Sequence, residues 1–199
     1  MKRKTIGIIL ILGSAYYLIG EFISALFFKD TLINTYLFHT ISQLGIPGSQ
    51  SPLYALMNST FILIGLILVL YNFYTFKDSI IKNKLIFYIL TIITSLGVII
   101  VGIIHTGNPI THKYHILGAI MAILGGNILL ILISQSTKEF EIYEKITLTL
   151  GIIGVIIFMI LLFNTTNIYM PVLERTSVYT LIIWSFISGI YNIKLSKLE

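Results

Sequence analysis

The sequence contains no cysteine among its 199 residues, and it has few charged side chains. The lack of cysteine excludes disulfides, thiolate nucleophiles and cysteine-ligated metal sites. Only 11% of the residues are charged, whereas soluble domains average about 25%. A chain so poor in charge cannot cover a water-exposed surface, so its solvent must be largely lipid.

Long apolar runs take the place of the missing charges. Hydrophobic residues make up 56% of the chain, and its mean hydropathy is +0.95. A helix that crosses a bilayer needs about 20 mostly apolar residues. We therefore expect an all-α integral membrane protein, a six-transmembrane-helix bundle that forms a single membrane domain over residues 1–199. The predicted spans are residues 5–28, 53–73, 85–105, 115–134, 146–166 and 177–194.

Basic residues are distributed unevenly between the predicted loops. With the N-terminus inside, ten of the 13 lysines and arginines fall in inner segments. The positive-inside rule then predicts a multi-pass protein of the cell membrane with both termini cytoplasmic. This placement accounts for the formal charge of +5 without nucleic acid, so the expected partners are membrane lipids. The inner residues are Lys2, Arg3, Lys4, Lys77, Lys82, Lys84, Lys138, Lys145, Lys194 and Lys197, and the outer ones are Lys29, Lys113 and Arg175.

The first outer loop differs from the other loops. Between residues 31 and 44, apolar side chains recur at the spacing of a helix. Gly45 can end such a helix and Pro47 can stop it. We expect a short amphipathic helix at the outer interface of the membrane. The apolar positions are Ile33, Leu37, Ile41 and Leu44.

The first span carries a stripe of polar side chains. Ser14, Tyr17, Glu21 and Ser24 recur at helical spacing, so they should share one face that turns toward the bundle interior. Ionisable groups inside a membrane are costly and mark functional sites. Glu21 is therefore a candidate catalytic residue. The alternative is a carboxylate that a neighbouring helix or interfacial water satisfies.

All four histidines fall on the predicted outer side. His105 ends the third predicted span and His115 begins the fourth, and an imidazole is the commonest general base. His112 and His115 are three residues apart, and with Glu21 or Glu174 they are a candidate zinc site. Interfacial histidines more often bond water or backbone, so zinc is not the favoured interpretation and the cofactor stays open.

A charged pair, Glu174 and Arg175, precedes the sixth predicted span. The planar guanidinium of Arg175 matches a phosphate or a carboxylate, so the pair is a candidate for binding a lipid head group. The alternative is structural: Glu174 would complement a helix dipole, and Arg175 would neutralise Glu21. Other polar residues complete the candidate head-group site: His39, Gln43 and Asn58.

Three segments together resemble a known family. Residues 39–45 carry an Ile-Ser-x-Leu-Gly core, and residues 101–119 contain a glycine, an outer turn and a histidine that opens the next span. Residues 173–184 start with Leu-Glu-Arg and continue with Tyr179 and Trp184. In this order they resemble the prokaryotic membrane family catalogued as domain of unknown function 998, over nearly the whole chain. The resemblance implies a six-helix fold but no activity. It also implies a shared outer-face constellation that includes Ser42, His115, Glu174 and Arg175.

The residues favour a lipid-handling enzyme, either a hydrolase or a transferase. Ser42 would act as nucleophile, His105 or His115 as base or metal ligand, and Arg175 would hold the head group. The alternative is a non-catalytic protein that binds a lipid or small molecule as a sensor or accessory subunit. A transporter ranks lower, because the inner halves of the spans carry almost no ionisable groups.

Overall fold

The computed structural model describes residues 3–76, 82–136, 141–164 and 169–197. These residues form eight α-helices joined by short segments. The helices are α1 (Arg3–Leu26), α2 (Leu32–Phe38), α3 (Ile41–Leu44), α4 (Tyr54–Thr75), α5 (Lys84–Ile103), α6 (His112–Ser136), α7 (Glu141–Phe163) and α8 (Met170–Leu195).

Six helices in the described part of the chain are long and apolar enough to cross a membrane, namely α1, α4, α5, α6, α7 and α8. The predicted all-α, multi-pass membrane architecture is therefore confirmed. The first four spanning helices, α1, α4, α5 and α6, begin and end within a few residues of the predicted spans. The predicted end of the fifth span, at residues 165 and 166, lies outside the described residues.

The last helix begins earlier than the predicted span, at Met170 rather than at residue 177. The prediction followed hydropathy, which falls at the charged residues Glu174 and Arg175. Pro171 lies in the first turn of α8, where its fixed φ and missing N–H are tolerated. Both charged side chains are buried, so α8 carries them into the bundle.

The helix predicted over residues 31–44 is present as two short helices, α2 and α3. They are separated at His39 and Thr40, whose backbones are extended. Thr40 starts α3 with a capping box: its hydroxyl accepts the Gln43 N–H, and the Gln43 side chain accepts the Thr40 N–H. Gly45 ends α3, as predicted. This second start fixes where Ser42, in the first turn of α3, is placed.

The six spanning helices form a ring in which chain neighbours are neighbours in space. Each of α1, α4, α5, α6 and α7 packs against the next spanning helix, and α8 closes the ring on α1. α6 also contacts α8, so α7 lies outside these two. Five helices, α1, α4, α5, α6 and α8, therefore surround the axis of the bundle, and α2 contacts α1 and α8.

Glycines bring neighbouring helices close together. A β-carbon added to Gly97 of α5 would lie 2.7 Å from the carbonyl oxygen of Gly118 on α6. α1 and α8 meet in a similar way at Gly7 and Gly189. In lipid, such close packing of backbones contributes to helix association in place of a hydrophobic driving force.

The two ends of the bundle carry different side chains. Gly7 of α1 packs against Ile193 of α8, and the Tyr143 hydroxyl of α7 lies 2.8 Å from the Ser188 hydroxyl of α8. These contacts place the start of α1, the start of α7 and the end of α8 together. We call this the basic end and the opposite one the histidine end. The basic end carries Arg3, Lys4, Lys82, Lys84, Lys145, Lys194 and Lys197, the histidine end carries His39, His105, His112 and His115, and Lys2, Lys77 and Lys138 lie outside the described residues.

The polar stripe of α1 faces the interior, as predicted. Ser14, Tyr17, Glu21 and Ser24 are each no more than 1% exposed. A carboxylate buried among helices needs a partner, and α8 supplies one at the histidine end.

Candidate functional site

Three side chains from separate helices meet at the histidine end. Glu174 of α8 accepts the Ser42 hydroxyl at 2.8 Å and the Ile41 N–H at 2.9 Å. The Nε2 atom of His115, on α6, lies 3.1 Å from Ser42 Oγ. His115 is 4% exposed and Glu174 is 8% exposed, whereas Ser42 is half-buried. Ser42 therefore lies between an imidazole and a carboxylate at hydrogen-bond distance from both.

The other nitrogen of His115 fixes the orientation of the ring. Nδ1 lies 2.5 Å from the carbonyl oxygen of Ile104, in the segment after α5. A carbonyl oxygen only accepts hydrogen bonds, so Nδ1 must carry a proton and donate it. In the neutral ring Nε2 then has a free lone pair, and that lone pair faces Ser42.

Ser42 has two hydrogen-bond contacts, one with His115 and one with Glu174. A neutral imidazole and an ionised carboxylate would leave these two contacts one proton short. Each contact needs a hydrogen, and the serine hydroxyl has only one. The second hydrogen must lie on His115 Nε2 or on Glu174. The network is therefore either an imidazolium beside a carboxylate or a neutral imidazole beside a carboxylic acid, and Ser42 is able to donate toward either side.

Arg175 is the centre of an adjacent cluster. Its Nε donates to Glu21 at 2.9 Å, and both side chains are 5% exposed or less. The Tyr179 hydroxyl donates to the second oxygen of Glu21 at 3.0 Å. Nη1 donates to the carbonyl oxygens of His39 at 2.6 Å and Tyr36 at 3.1 Å. The guanidinium thus ties α1 and the end of α2 to α8.

Most of the guanidinium of Arg175, which was predicted to bind a lipid head group, is therefore bonded to groups of the protein itself. The guanidinium of Arg175 also lies over the Tyr36 ring, with its carbon 4.8 Å from the ring centroid. Within the described ranges, its Nη2 atom has no hydrogen-bond partner. Groups of the protein thus accept hydrogen bonds from two of the three guanidinium nitrogens.

His39 has a local partner in the loop before α2. Its Nε2 lies 3.1 Å from the carboxylate of Asp30. Asp30 also accepts the side-chain N–H of Asn34 and the backbone N–H of Thr31. The hydrogen bond from Asn34 has the largest effect on the exposed Asp30 carboxyl, and those from Thr31 and His39 add to it. Together they lower the pKa of Asp30 below its usual value.

Gln43 and Asn58 support the loop that carries Ser42. Gln43 completes the capping box of α3. Asn58 of α4 donates to the Gly45 carbonyl oxygen at 2.9 Å, and its own oxygen is without a partner among the described residues. Both amides therefore hold α3 in place, whatever else they contact.

The remaining histidines, His105 and His112, form no hydrogen bond with Ser42 among the described residues. His112 is exposed, and its Nδ1 lies 2.8 Å from the Thr106 hydroxyl. The Nδ1 atom of His105 is buried and has no hydrogen-bond partner in the described part of the chain. Across the same residues, no three histidine, aspartate or glutamate side chains are grouped as metal ligands. The imidazoles of His112 and His115, which the sequence offered as a zinc pair without favouring it, bond different partners.

An internal cavity adjoins the network. Ser42 and Glu174 line a space of about 60 Å³ on the axis of the bundle. Most of its other walls are apolar, with side chains such as Phe61 and Val98, and Tyr17 adds a polar one. The Tyr17 hydroxyl is buried without a hydrogen-bond partner among the described residues. The hydrogen-bonded pair of Ser42 and Glu174 thus borders a mostly apolar cavity.

The family described as "Protein of unknown function (DUF998)" matches residues 11–191. The chain belongs to this family. No curated protein and no solved structure matches the chain. The four residues that the resemblance singled out all lie in the two clusters: Ser42, His115 and Glu174 form the first, and Arg175 is the centre of the second.

Sequence reasoning missed the groups that fix these side chains. Tyr179 carries a usable signal, since it follows Arg175 by one helical turn and shares its face. The Ile104 carbonyl, which orients His115, carries none, because every residue has a carbonyl. The same holds for the carbonyls of Tyr36 and His39 that Arg175 binds.

Proposed function

We propose that the protein is a lipid-handling membrane enzyme that hydrolyses or transfers an acyl group, with Ser42 as its nucleophile. The observation that carries this proposal is the position of Ser42 Oγ, 3.1 Å from His115 Nε2 and 2.8 Å from Glu174. A serine becomes nucleophilic when a neighbouring base takes its proton. The serine here has such a base within hydrogen-bond reach.

The protonation state with a neutral imidazole suits general base catalysis. Ser42 then donates to Nε2 of His115, and the protonated carboxyl of Glu174 donates to Ser42 Oγ. The carbonyl of Ile104 holds the ring in the required tautomer. A buried carboxylate orients the histidine in the same way in the Ser-His-Asp triad of serine hydrolases. Removing the serine proton requires no movement of His115.

The reaction balances with these groups alone. Ser42 Oγ adds to the carbonyl carbon of a lipid ester while its proton passes to His115 Nε2. The ester C–O bond then breaks, and the leaving alcohol takes that proton. Water, or a second alcohol in a transfer reaction, attacks the acyl-serine, gives a proton to His115, and releases a fatty acid or a new ester as Ser42 regains its hydrogen.

The proposal includes a location. Basic loops favour the cytoplasmic side of a membrane, and in the described residues they gather at the end opposite the histidines. The site accordingly faces the outer leaflet of the cell membrane, with both termini inside, and its substrates are membrane lipids.

The test is turnover of a lipid ester by purified protein in nanodiscs. A panel of radiolabelled phospholipids and acylglycerols is incubated with wild type, Ser42→Ala and His115→Asn, and released fatty acid or transferred acyl group is measured. Loss of a catalytic serine or histidine lowers kcat by roughly 10³-fold or more. Ser59→Ala is the matched control, because this serine lies on α4 and bonds the Tyr16 hydroxyl. Equal turnover by wild type and Ser42→Ala contradicts the proposal.

A second function is a non-catalytic lipid binder. The buried Tyr17 hydroxyl and Arg175 Nη2, both without a partner among the described residues, favour it, because such groups are normally satisfied. A bound lipid would supply the missing oxygen atoms. This function predicts that wild type and Ser42→Ala co-purify with the same lipid and that neither changes it.

A further inference from the structure

A second cavity lies deeper in the bundle than the one beside Ser42. It has a volume of about 40 Å³. The same five helices, α1, α4, α5, α6 and α8, line both cavities. Four residues belong to both linings: Ile64, Val98, Leu181 and Ile182.

The two cavities are stacked along the axis of the bundle. On each helix, the lining residues of the second cavity lie nearer the basic end than those of the first. On α1 the lining moves from Tyr17 to Leu10, and on α6 from Ala122 to Leu129. Seven residues of helix correspond to about 10 Å. Together the cavities form what we call the axial slot, with Ser42 at one end and Trp184 of α8 at the other.

The axial slot is narrow and mostly apolar. On α8 its lining runs from Glu174 to Trp184, a depth of about 15 Å. Trp184 is 1% exposed, so the far end is closed. Apolar cavities of this kind stay dry and accept apolar guests. The volumes leave no room for a head group below Ser42.

We infer that the axial slot holds a single hydrocarbon chain of the lipid substrate, whose ester carbonyl lies at Ser42 beside the Tyr17 hydroxyl. This inference rests on the proposed function. The Tyr17 side chain is 1% exposed, and its hydroxyl has no hydrogen-bond partner within the described ranges. It lines the same cavity as Ser42 and Glu174, so an ester oxygen bound there would satisfy it.

Val98 lies where the two halves of the slot adjoin. It lines both cavities from α5 and is 9% exposed. A phenylalanine at this position would fill the junction and exclude the end of a long chain. Ile92, on the same helix, is 43% exposed on the outer surface of the bundle, so Ile92→Phe is a matched control.

The experiment uses acylglycerol probes that carry a diazirine either next to the carbonyl or at the end of the chain. The full-length Ser42→Ala protein in nanodiscs binds without turnover, and irradiated peptides are mapped by mass spectrometry. We expect the first probe to label residues around Ile41 and Val178, and the second to label residues around Leu129 and Trp184. Adding Val98→Phe should lower the labelling by the second probe about tenfold, and adding Ile92→Phe should leave it unchanged.

The outcomes separate this inference from the proposed function. Chain-end label confined to lipid-facing residues such as Leu66 and Ile92, or unaffected by Val98→Phe, overturns the slot as the chain site. If wild type turns over lipid esters in that case, the catalytic proposal stands without the slot. Slot labelling with no turnover by wild type supports the slot and makes the protein a binder.

Discussion

His115 Nε2 lies 3.1 Å from Ser42 Oγ, although 73 positions separate the two residues in the sequence. The contact depends on two separate devices, the capping box that starts α3 and the Ile104 carbonyl that binds the other ring nitrogen. Neither partner is free to turn away without losing a hydrogen bond. The imidazole is therefore held at hydrogen-bond distance from position 42.

A cysteine at position 42 tests whether His115 takes a proton from this position. The chain has no native cysteine, so Ser42→Cys introduces the sole thiol. A neighbouring imidazole favours the thiolate, which is the reactive form. We expect Ser42→Cys to be alkylated at pH 7 about tenfold faster than Ser42→Cys/His115→Asn, the change that corresponds to about one pKa unit. Alkylation by a small uncharged maleimide is followed by intact-protein mass spectrometry.

The carboxylate on the other side should have the opposite effect. An ionised Glu174 opposes a thiolate, so in that state Ser42→Cys/Glu174→Gln should react faster than Ser42→Cys. The protonated Glu174 of the proposed mechanism carries no charge and donates to position 42 as a glutamine amide does, so it predicts an unchanged rate. Ser49→Cys, on the exposed part of the loop, is the control. Its alkylation rate should not change when His115→Asn is added. Equal rates for all three thiols at position 42 would rule out activation by the network.

The Arg175–Glu21 ion pair should matter mainly for stability. Removing one partner of a buried pair costs about 3–5 kcal/mol, because the other charge is left without compensation. Arg175→Met should therefore unfold at markedly lower temperature, and Glu21→Gln/Arg175→Met should recover part of the loss. The one tryptophan of the chain, Trp184, is buried, and its fluorescence follows unfolding in detergent.

Lys113→Met is the control for loss of a cation at the same end. Lys113 is exposed and lies over the Tyr114 ring, with its nitrogen 5.1 Å from the ring centroid. Such exposed contacts contribute about 0.5–1 kcal/mol. A melting temperature for Arg175→Met that matches that of Lys113→Met would mean that the ion pair contributes no more than a surface contact.

The start of α2 should loosen in acid. The bonds that lower the pKa of Asp30 stabilise its ionised form. This stabilisation is complete above the usual aspartate pKa of about 3.9, and it disappears as the pH falls through the lowered value. We expect the amides of Asn34 and Thr35, corrected for intrinsic exchange, to lose hydrogen-exchange protection below about pH 4. In Asp30→Ala, hydrogen-exchange protection of these two amides should be weak at every pH. Equal protection in wild type at pH 3 and pH 6 would contradict the prediction.

The orientation in the membrane can be tested with two more single cysteines. Ser49 and Lys84 are both exposed, at the histidine end and the basic end respectively. A membrane-impermeant maleimide should label Ser49→Cys on intact cells, and should label Lys84→Cys only after permeabilisation. Labelling of Lys84→Cys on intact cells would reverse the topology and place the site on the cytoplasmic side.

The sequence was sufficient to predict the six spans and the separation of lysines from histidines. Both are local properties, since hydropathy is read in windows of about 20 residues. The start of α8 was missed because the charged pair lowers hydropathy although both side chains are buried. The break before α3 was missed because a capping box competes with a continuous helix, and periodicity alone does not register that competition.

The sequence singled out the residues of the two clusters, together with others, but not the contacts between them. The structural alternative for Arg175, an ion pair with Glu21, is what the structure shows. The structural role considered for Glu174, beside head-group binding, was to complement a helix dipole, yet it accepts two hydrogen bonds from α3. These pairings join residues more than 130 positions apart, and no spacing rule reaches across that distance.

The link between the first and last helices has a consequence for biogenesis. Glu21 is made 154 residues before Arg175, so its acidic side chain reaches the bilayer while its future partner has yet to be translated. Glu174, which holds Ser42, comes from the same late segment. Truncated or stalled chains therefore lack both pairings, and the two clusters assemble only after the final helix has left the translocon.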